Sequence, residues 1–142
     1  MNARELASEF FKRLGAHDVA GAVNLVTPEA QVHIVPAALK GTMADEGQAF
    51  FASLADAFPD LRMRIRRTMG TDTLAIIELT MDGTQGADFL GAVNQEKYID
   101  LDQGWMVWAE KGRITGLRAY WCQNQLLRRM AVKRLDQISI TG

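Results

Sequence analysis

Residues 105–122 read WMVWAEKGRITGLRAYWC, and the way this stretch folds decides how the rest of the chain is arranged. Glu110-Lys111-Gly112-Arg113 supplies a turn, and the β-branched and aromatic residues on either side predict two antiparallel strands. With a two-residue turn Glu110 stands opposite Arg113, and period-2 alternation sorts the side chains onto two faces. One face takes Trp105, Val107, Ala109, Ile114, Gly116, Arg118, Tyr120 and Cys122; the other takes Met106, Trp108, Thr115, Leu117, Ala119 and Trp121. A strand pair wetted on one side alternates apolar with polar residues. This one is apolar on both, so both faces need cover.

The remaining chain offers helices for one of those faces. Residues 2 to 14 place Ala3, Leu6, Ala7, Phe10, Phe11 and Leu14 at helical spacing, with Gly15 as a stop. Asp18 predicts the cap of a short helix reaching Val26, which Thr27-Pro28 ends. Gln31 to Val35 alternates as a strand and is followed by a loop from Pro36 to Gly41. Thr42 and Asp45 resemble a capping box that opens a helix to about Phe58, with Phe50, Phe51, Leu54 and Phe58 as its buried stripe. Strands are predicted at 61–68 and 73–81, and a loop rich in Gly and small residues runs from Asp82 to Asn94. Tyr98 to Leu101 resumes β character, and Gly104 reads as a bulge before the hairpin. Gln123 to Leu135 closes the chain as an amphipathic helix carrying Arg128, Arg129, Lys133 and Arg134 on its polar side.

This order predicts one α+β domain over residues 1–142, in which helices pack on one face of a curved, mostly antiparallel sheet. A length of 142 residues suffices for a real core, and 48% hydrophobic with 23% charged residues excludes disorder. A net charge of −1 gives no electrostatic footprint for nucleic acid. The single Cys122, the lack of a leader pattern and the lack of a long apolar run predict a cytoplasmic protein without a membrane span. Helices cover one face of the hairpin, so the other predicts a homodimer contact through Met106, Trp108, Leu117 and Trp121.

Three groups of residues carry a resemblance to a known family. They are Phe58-Pro59-Asp60-Leu61, then Gly83-Thr84-Gln85-Gly86 followed by Phe89-Leu90-Gly91, and finally Gly112-Arg113-Ile114 running to Tyr120-Trp121-Cys122 with Gln125-Leu126-Leu127. In this order and spacing, over roughly residues 5 to 132, the chain resembles the SnoaL-like polyketide cyclases. These belong to the cone-shaped α+β barrels of the nuclear transport factor 2 and ketosteroid isomerase group. The resemblance implies an apolar pocket for a hydrophobic polyketide-like or steroid-like molecule, no metal, no cofactor, and pairing through the outer sheet face.

It also implies acid–base ring closure, but the chain departs from the pattern at two positions. Cys122 stands where similar cyclases carry Asp, and Gln85 where they carry His. A thiol with an ordinary pKa near 8.5 is mostly neutral at pH 7, and Gln exchanges no protons. The candidate catalytic residues are therefore a rearranged set: His33 as acid or base, Cys122 as weak acid or thiol, and Gln85 as hydrogen-bond donor. Tyr120, Arg118, Trp105, Phe50 and Phe58 are the candidate substrate-binding residues. Cyclisation, isomerisation and hydration all fit such a set. The alternative is a ligand-binding or dimerisation module that has lost catalysis with its Asp and His.

Overall fold

The computed structural model describes residues 1–131. The helices are α1 (Ala3–Gly15), α2 (Val19–Val23), α3 (Gln48–Ala57) and α4 (Gln123–Arg129). The strands are β1 (Val26–Ile34), β2 (Leu39–Thr42), β3 (Arg62–Gly70), β4 (Leu74–Thr84), β5 (Tyr98–Glu110) and β6 (Arg113–Tyr120). They form one open sheet in the order β2-β1-β6-β5-β4-β3, in which only β1 and β6 run parallel. The N-terminal helices lie against one face of it. This is the α+β cone expected from the sequence, with the sheet left unclosed.

Local chemistry explains most boundaries. Asn2 caps α1 in a reciprocal box with Glu5, its side chain accepting from the Glu5 amide while the Glu5 carboxylate accepts from the Asn2 amide. Asp18 caps α2 by accepting from the Gly21 amide. The expected loop from Pro36 to Gly41 instead holds a short 3-10 turn and the edge strand β2, paired antiparallel to β1. One turn of π-helix over Met43–Gly47 precedes α3, and Glu46 rather than Asp45 accepts from the Thr42 amide. Past residue 131, the expected continuation of the last helix, with Lys133 and Arg134, lies outside the described residues.

The apolar stripe of α1 is buried against the sheet. Phe11 meets Trp105 edge-on with ring centroids 5.2 Å apart, and Phe51 of α3 lies 6.0 Å from the same indole. Trp105 is thus the point where two helices and the middle of the sheet converge.

The hairpin departs from the expected register. Its turn has two residues, with Lys111 and Gly112 both at positive φ, 51° and 75°, and Glu110 pairs with Arg113. One residue further in, Ala109 pairs with Ile114 but Trp108 pairs with Gly116, so Thr115 is bulged out. The bulge rotates the rest of β6 by one position. Leu117 and Ala119 are buried on the helix side, whereas Arg118 and Tyr120 face outward. The expected bulge at Gly104 is absent; β5 pairs with β4 without interruption from Tyr98 to Trp108.

At the far edge, Asp82 is shut off from solvent and gathers Arg62, Arg64 and Tyr98. Arg62 donates twice, at 3.2 and 2.9 Å, Arg64 once at 3.2 Å, and the Tyr98 hydroxyl at 2.7 Å. Asp82 therefore anchors Arg62 and Arg64 of β3, while Arg66 donates to the Thr80 hydroxyl at 3.1 Å. Burial pushes the Asp82 carboxyl up, but the Tyr98 hydroxyl and the two guanidinium groups outweigh it and hold it below the usual carboxylate range. A depressed carboxyl stabilises the fold above its unfolded-state pKa, and that contribution disappears as pH falls through the folded value. Asp82→Asn is expected to cost about 1 kcal/mol at pH 7, limited because both arginines reach solvent. In denaturant titrations the gap to the wild type should narrow below about pH 4; a gap that widened there would refute this account.

Candidate functional site

The helices and the inner sheet face enclose an apolar chamber. It is lined by Phe50 and Leu54 from α3, Met81 from β4, Leu101, Gln103 and Trp105 from β5, Phe89 from the loop after β4, Trp121, and Leu126 from α4. The lining side chains fill it, and no gap between them is wide enough for a water molecule. Phe50 also lines a solvent-open cleft of about 440 Å³ between α3 and Asp88-Leu90-Gly91. Phe50 therefore borders both the chamber and the cleft.

Among the described residues a single polar side chain enters the chamber wall. Gln103 is nearly buried; its Oε1 accepts from Trp105 Nε1 at 2.9 Å, and its Nε2 meets the Met81 sulfur at 3.4 Å. Thioether sulfur is a weak acceptor, so the carboxamide keeps donor capacity for a carbonyl brought into the chamber. Gln103 was legible in principle. It is the one polar residue in the inward series Ile99, Leu101, Trp105, Val107 and Ala109.

The structure separates the residues proposed from sequence. Trp105 and Phe50 line the chamber, and Phe58 backs it through Phe89, with ring centroids 5.4 Å apart. Trp121 also lines it, stacked 6.4 Å from Phe50 with its Nε1 bonded to Gln123 Oε1 at 2.8 Å. Its expected place on a subunit interface is therefore corrected, as is that of Leu117, which is buried inside. The expected lining by Arg118, Tyr120 and Cys122 fails for the same reason, because the Thr115 bulge turns their side of the strand outward. Tyr120 and Cys122 are exposed, and Arg118 lies across Trp108 on the outer face.

His33, Cys122 and Gln85 do not meet. His33 lines a groove on the outer sheet face. Cys122 is the N-cap of α4, where its sulfur accepts from the Gln125 amide at 3.4 Å. Gln85 is buried but spends its side chain on the loop, donating to the Ala87 and Ala92 carbonyls at 3.1 and 3.3 Å.

The short motifs prove to be interlocking pieces of backbone. The Thr84 amide lies 2.6 Å from Asp60 Oδ1 and holds that carboxyl below its usual range, and the Gly86 amide donates to Ala57 O at 2.7 Å. A Cβ at Gly83 would lie 3.2 Å from Phe58 Cβ, and one at Gly86 would lie 3.0 Å from the Pro59 ring. Phe-Pro-Asp-Leu and Gly-Thr-Gln-Gly therefore clasp each other and hold the loop carrying Phe89 over the chamber.

Comparison with known proteins agrees with this architecture. The family model of the SnoaL-like domain matches residues 7–117. This chain belongs to the SnoaL-like family. No curated protein matches it in sequence. Among solved structures, the SnoaL-like chain is similar to AclR, a candidate hydroxylase from Streptomyces galilaeus, with a TM-score of 0.80 and 15% identity over 93% of this chain and 97% of that one. It is also similar to a candidate polyketide cyclase from Pseudomonas putida, with a TM-score of 0.78 and 19% identity over 91% and 98%. A protein with a ketosteroid isomerase-like fold from Catenulispora acidiphila gives 0.76 at 9% identity over 91% and 94%. At such identities the likeness shows the SnoaL-like fold and leaves reaction and substrate open.

The place of Cys122 at a helix start generates a test. Asp is a better N-cap than most residues and its charge suits the helix end, so Cys122→Asp should stabilise the protein by about 0.5 to 1 kcal/mol in thermal or denaturant unfolding. It should not create aldol-type turnover of an anthraquinone-type ester. Such turnover, with unchanged stability, would place residue 122 inside the chamber instead.

Proposed function

We propose that this SnoaL-like chain binds a hydrophobic, ring-bearing small molecule of the polyketide or steroid type between α3 and the inner sheet face, as a binding protein rather than a proton-transfer enzyme. The observation that carries this reading is the chamber wall: of its nine lining residues among those described, eight are apolar, four of them aromatic, and the ninth is Gln103. Aromatic walls with one fixed hydrogen-bonding group suit a flat ligand that bears a carbonyl. Ligand pockets usually run from about 300 to 1,000 Å³, so entry requires the Phe50 ring to swing and join the chamber to the neighbouring cleft. The description of a structural neighbour as a candidate polyketide cyclase supports the same ligand class.

A fluorescence titration with an anthraquinone-type ester tests it. Quenching of the chamber indoles Trp105 and Trp121 should saturate, and Leu54→Trp, which fills the chamber, should weaken binding by about tenfold or more. Undiminished binding by that variant would move the ligand elsewhere. A turnover reading rests on Gln103 alone, whose carboxamide sits in a dry site where a donor stabilises developing oxyanion charge. If turnover is found, Gln103→Leu should lower kcat more than affinity.

We also infer that a second copy covers the β3–β5 half of the outer face, where Met106 and the exposed Ile76 stand paired across the strands and Met69 continues the row. Ile76→Lys should then convert a dimer to a monomer in sedimentation experiments while leaving the thermal transition cooperative. A wild type that sediments as a monomer refutes the contact.

A further inference from the structure

On the outer face, two aromatic side chains each stand in register with a glycine on the neighbouring strand: Trp108 of β5 with Gly116 of β6, and Tyr120 of β6 with Gly104 of β5. The two pairs are filled differently. Trp108 covers its own glycine, where a Cβ would come within 3.2 Å of the indole, whereas a Cβ at Gly104 would meet nothing within 4 Å. Tyr120 leaves that hollow empty. It is 45% exposed, and among the described residues its hydroxyl, unlike that of Tyr98, has no hydrogen-bond partner. A bare glycine inside a strand often marks a place that another chain segment approaches closely.

The hollow belongs to a groove of about 540 Å³ lined by Arg66 of β3, Glu78 and Thr80 of β4, and Asp102 of β5. Thr80 ties two of these charges together, accepting from Arg66 Nε and donating to Asp102 Oδ1 at 2.9 Å. Glu78 is in no ion pair among the described residues, so the groove keeps a net negative charge. The outer face of β6 has the opposite character: Arg118, also in no ion pair, stands beside the exposed Tyr120. One strand thus offers an aromatic knob and a positive charge, and its neighbours offer a hole and a negative one.

A two-fold axis that lies in an interface along the line between two strands exchanges those strands, so each residue comes to face the register partner of its own position in the other copy. We propose that the second copy packs about such an axis between β5 and β6, with the partner's Tyr120 seated in the hollow at Gly104 and this chain's Tyr120 seated in the partner's hollow. The hydroxyl donates to a groove carboxylate, and the partner's Arg118 arrives one row from Glu78. Ile76 and Met106, in that same next row, continue the contact as its apolar part. This inference rests on the outer-face contact inferred above and adds the residues that lock it. A large aromatic seated in a fitted pocket is the kind of side chain that dominates the strength of an interface.

Sedimentation of the full chain over a range of concentrations tests the pairing. Gly104→Val puts a β-branched residue into a strand where its space is free, so the chain should still unfold in one cooperative thermal transition while the dimer's dissociation constant rises about tenfold or more. Tyr120→Ala, at an exposed position, should weaken the dimer as much, and Tyr120→Phe, which loses only the hydroxyl, by about fivefold or less. Mixed in equal amounts, the Gly104→Val and Tyr120→Ala chains should form a dimer tighter than either forms alone, because one of its two contacts then has knob and hole intact and the other sets Ala against Val. A wild type that sediments as a monomer overturns both the pairing and the contact it rests on. A dimer that Ile76→Lys breaks but that is indifferent to Gly104→Val or to Tyr120→Ala, or a mixture no tighter than its two components, overturns the pairing alone.

Discussion

One extra residue in β6 sets the character of both faces of this sheet. Without the bulge at Thr115, the strand would send Arg118 and Tyr120 toward the helices and expose Leu117 and Trp121, as strict alternation from the turn requires. With it, Leu117 and Ala119 join Trp105 and Val107 in the core, and the basic residue goes to the surface. The alternative would bury an unpaired guanidinium against Phe11 and Phe51, which costs far more than an interrupted ladder. Burial of Trp105 and exclusion of Arg118 are thus satisfied together.

Local signals were legible and non-local ones were not. The Lys111-Gly112 turn, the α1 stripe and the helix ending at Phe58-Pro59 depend on residues close in sequence, and the structure has them where the pattern places them. The bulge depends on neighbours far away in the chain. β6 is held between β5 and the parallel strand β1, and the β1 ladder is also irregular at that level, between Val26 and Gln31. Gly116 offered a hint, since a Gly inside a strand marks a bulge or a close approach. A Cβ there would lie 3.2 Å from the Trp108 ring. Gly104 carried the same hint with no such neighbour, because a Cβ there would meet nothing within 4 Å. Sequence alone does not tell these two glycines apart.

The same distinction explains why the family was readable and the site was not. Phe58 to Leu61 and Gly83 to Gly86 are constrained by backbone contacts with each other, and those contacts are needed whatever the chamber holds. Residues that seat a ligand answer to no such requirement. Gln85 shows the consequence: it sits in the clasp, where an amide bridging Ala87 and Ala92 braces the loop without any proton to exchange. A motif of this kind identifies a scaffold that many chemistries share.

Chemistry-bearing side chains in this chain end up sorted by how they can be satisfied. Asp82 is enclosed because Arg62, Arg64 and Tyr98 supply donors, and Gln103 is enclosed because Trp105 does. Cys122 remains at the surface, where a helix start uses its sulfur. Arg118 is the exception. Its charge rests on an indole, but its Nε–H is enclosed with nothing to receive it. Among the described residues it is the one buried side-chain donor left without a partner, the cost of keeping the guanidinium on the indole at the sheet surface instead of in the core.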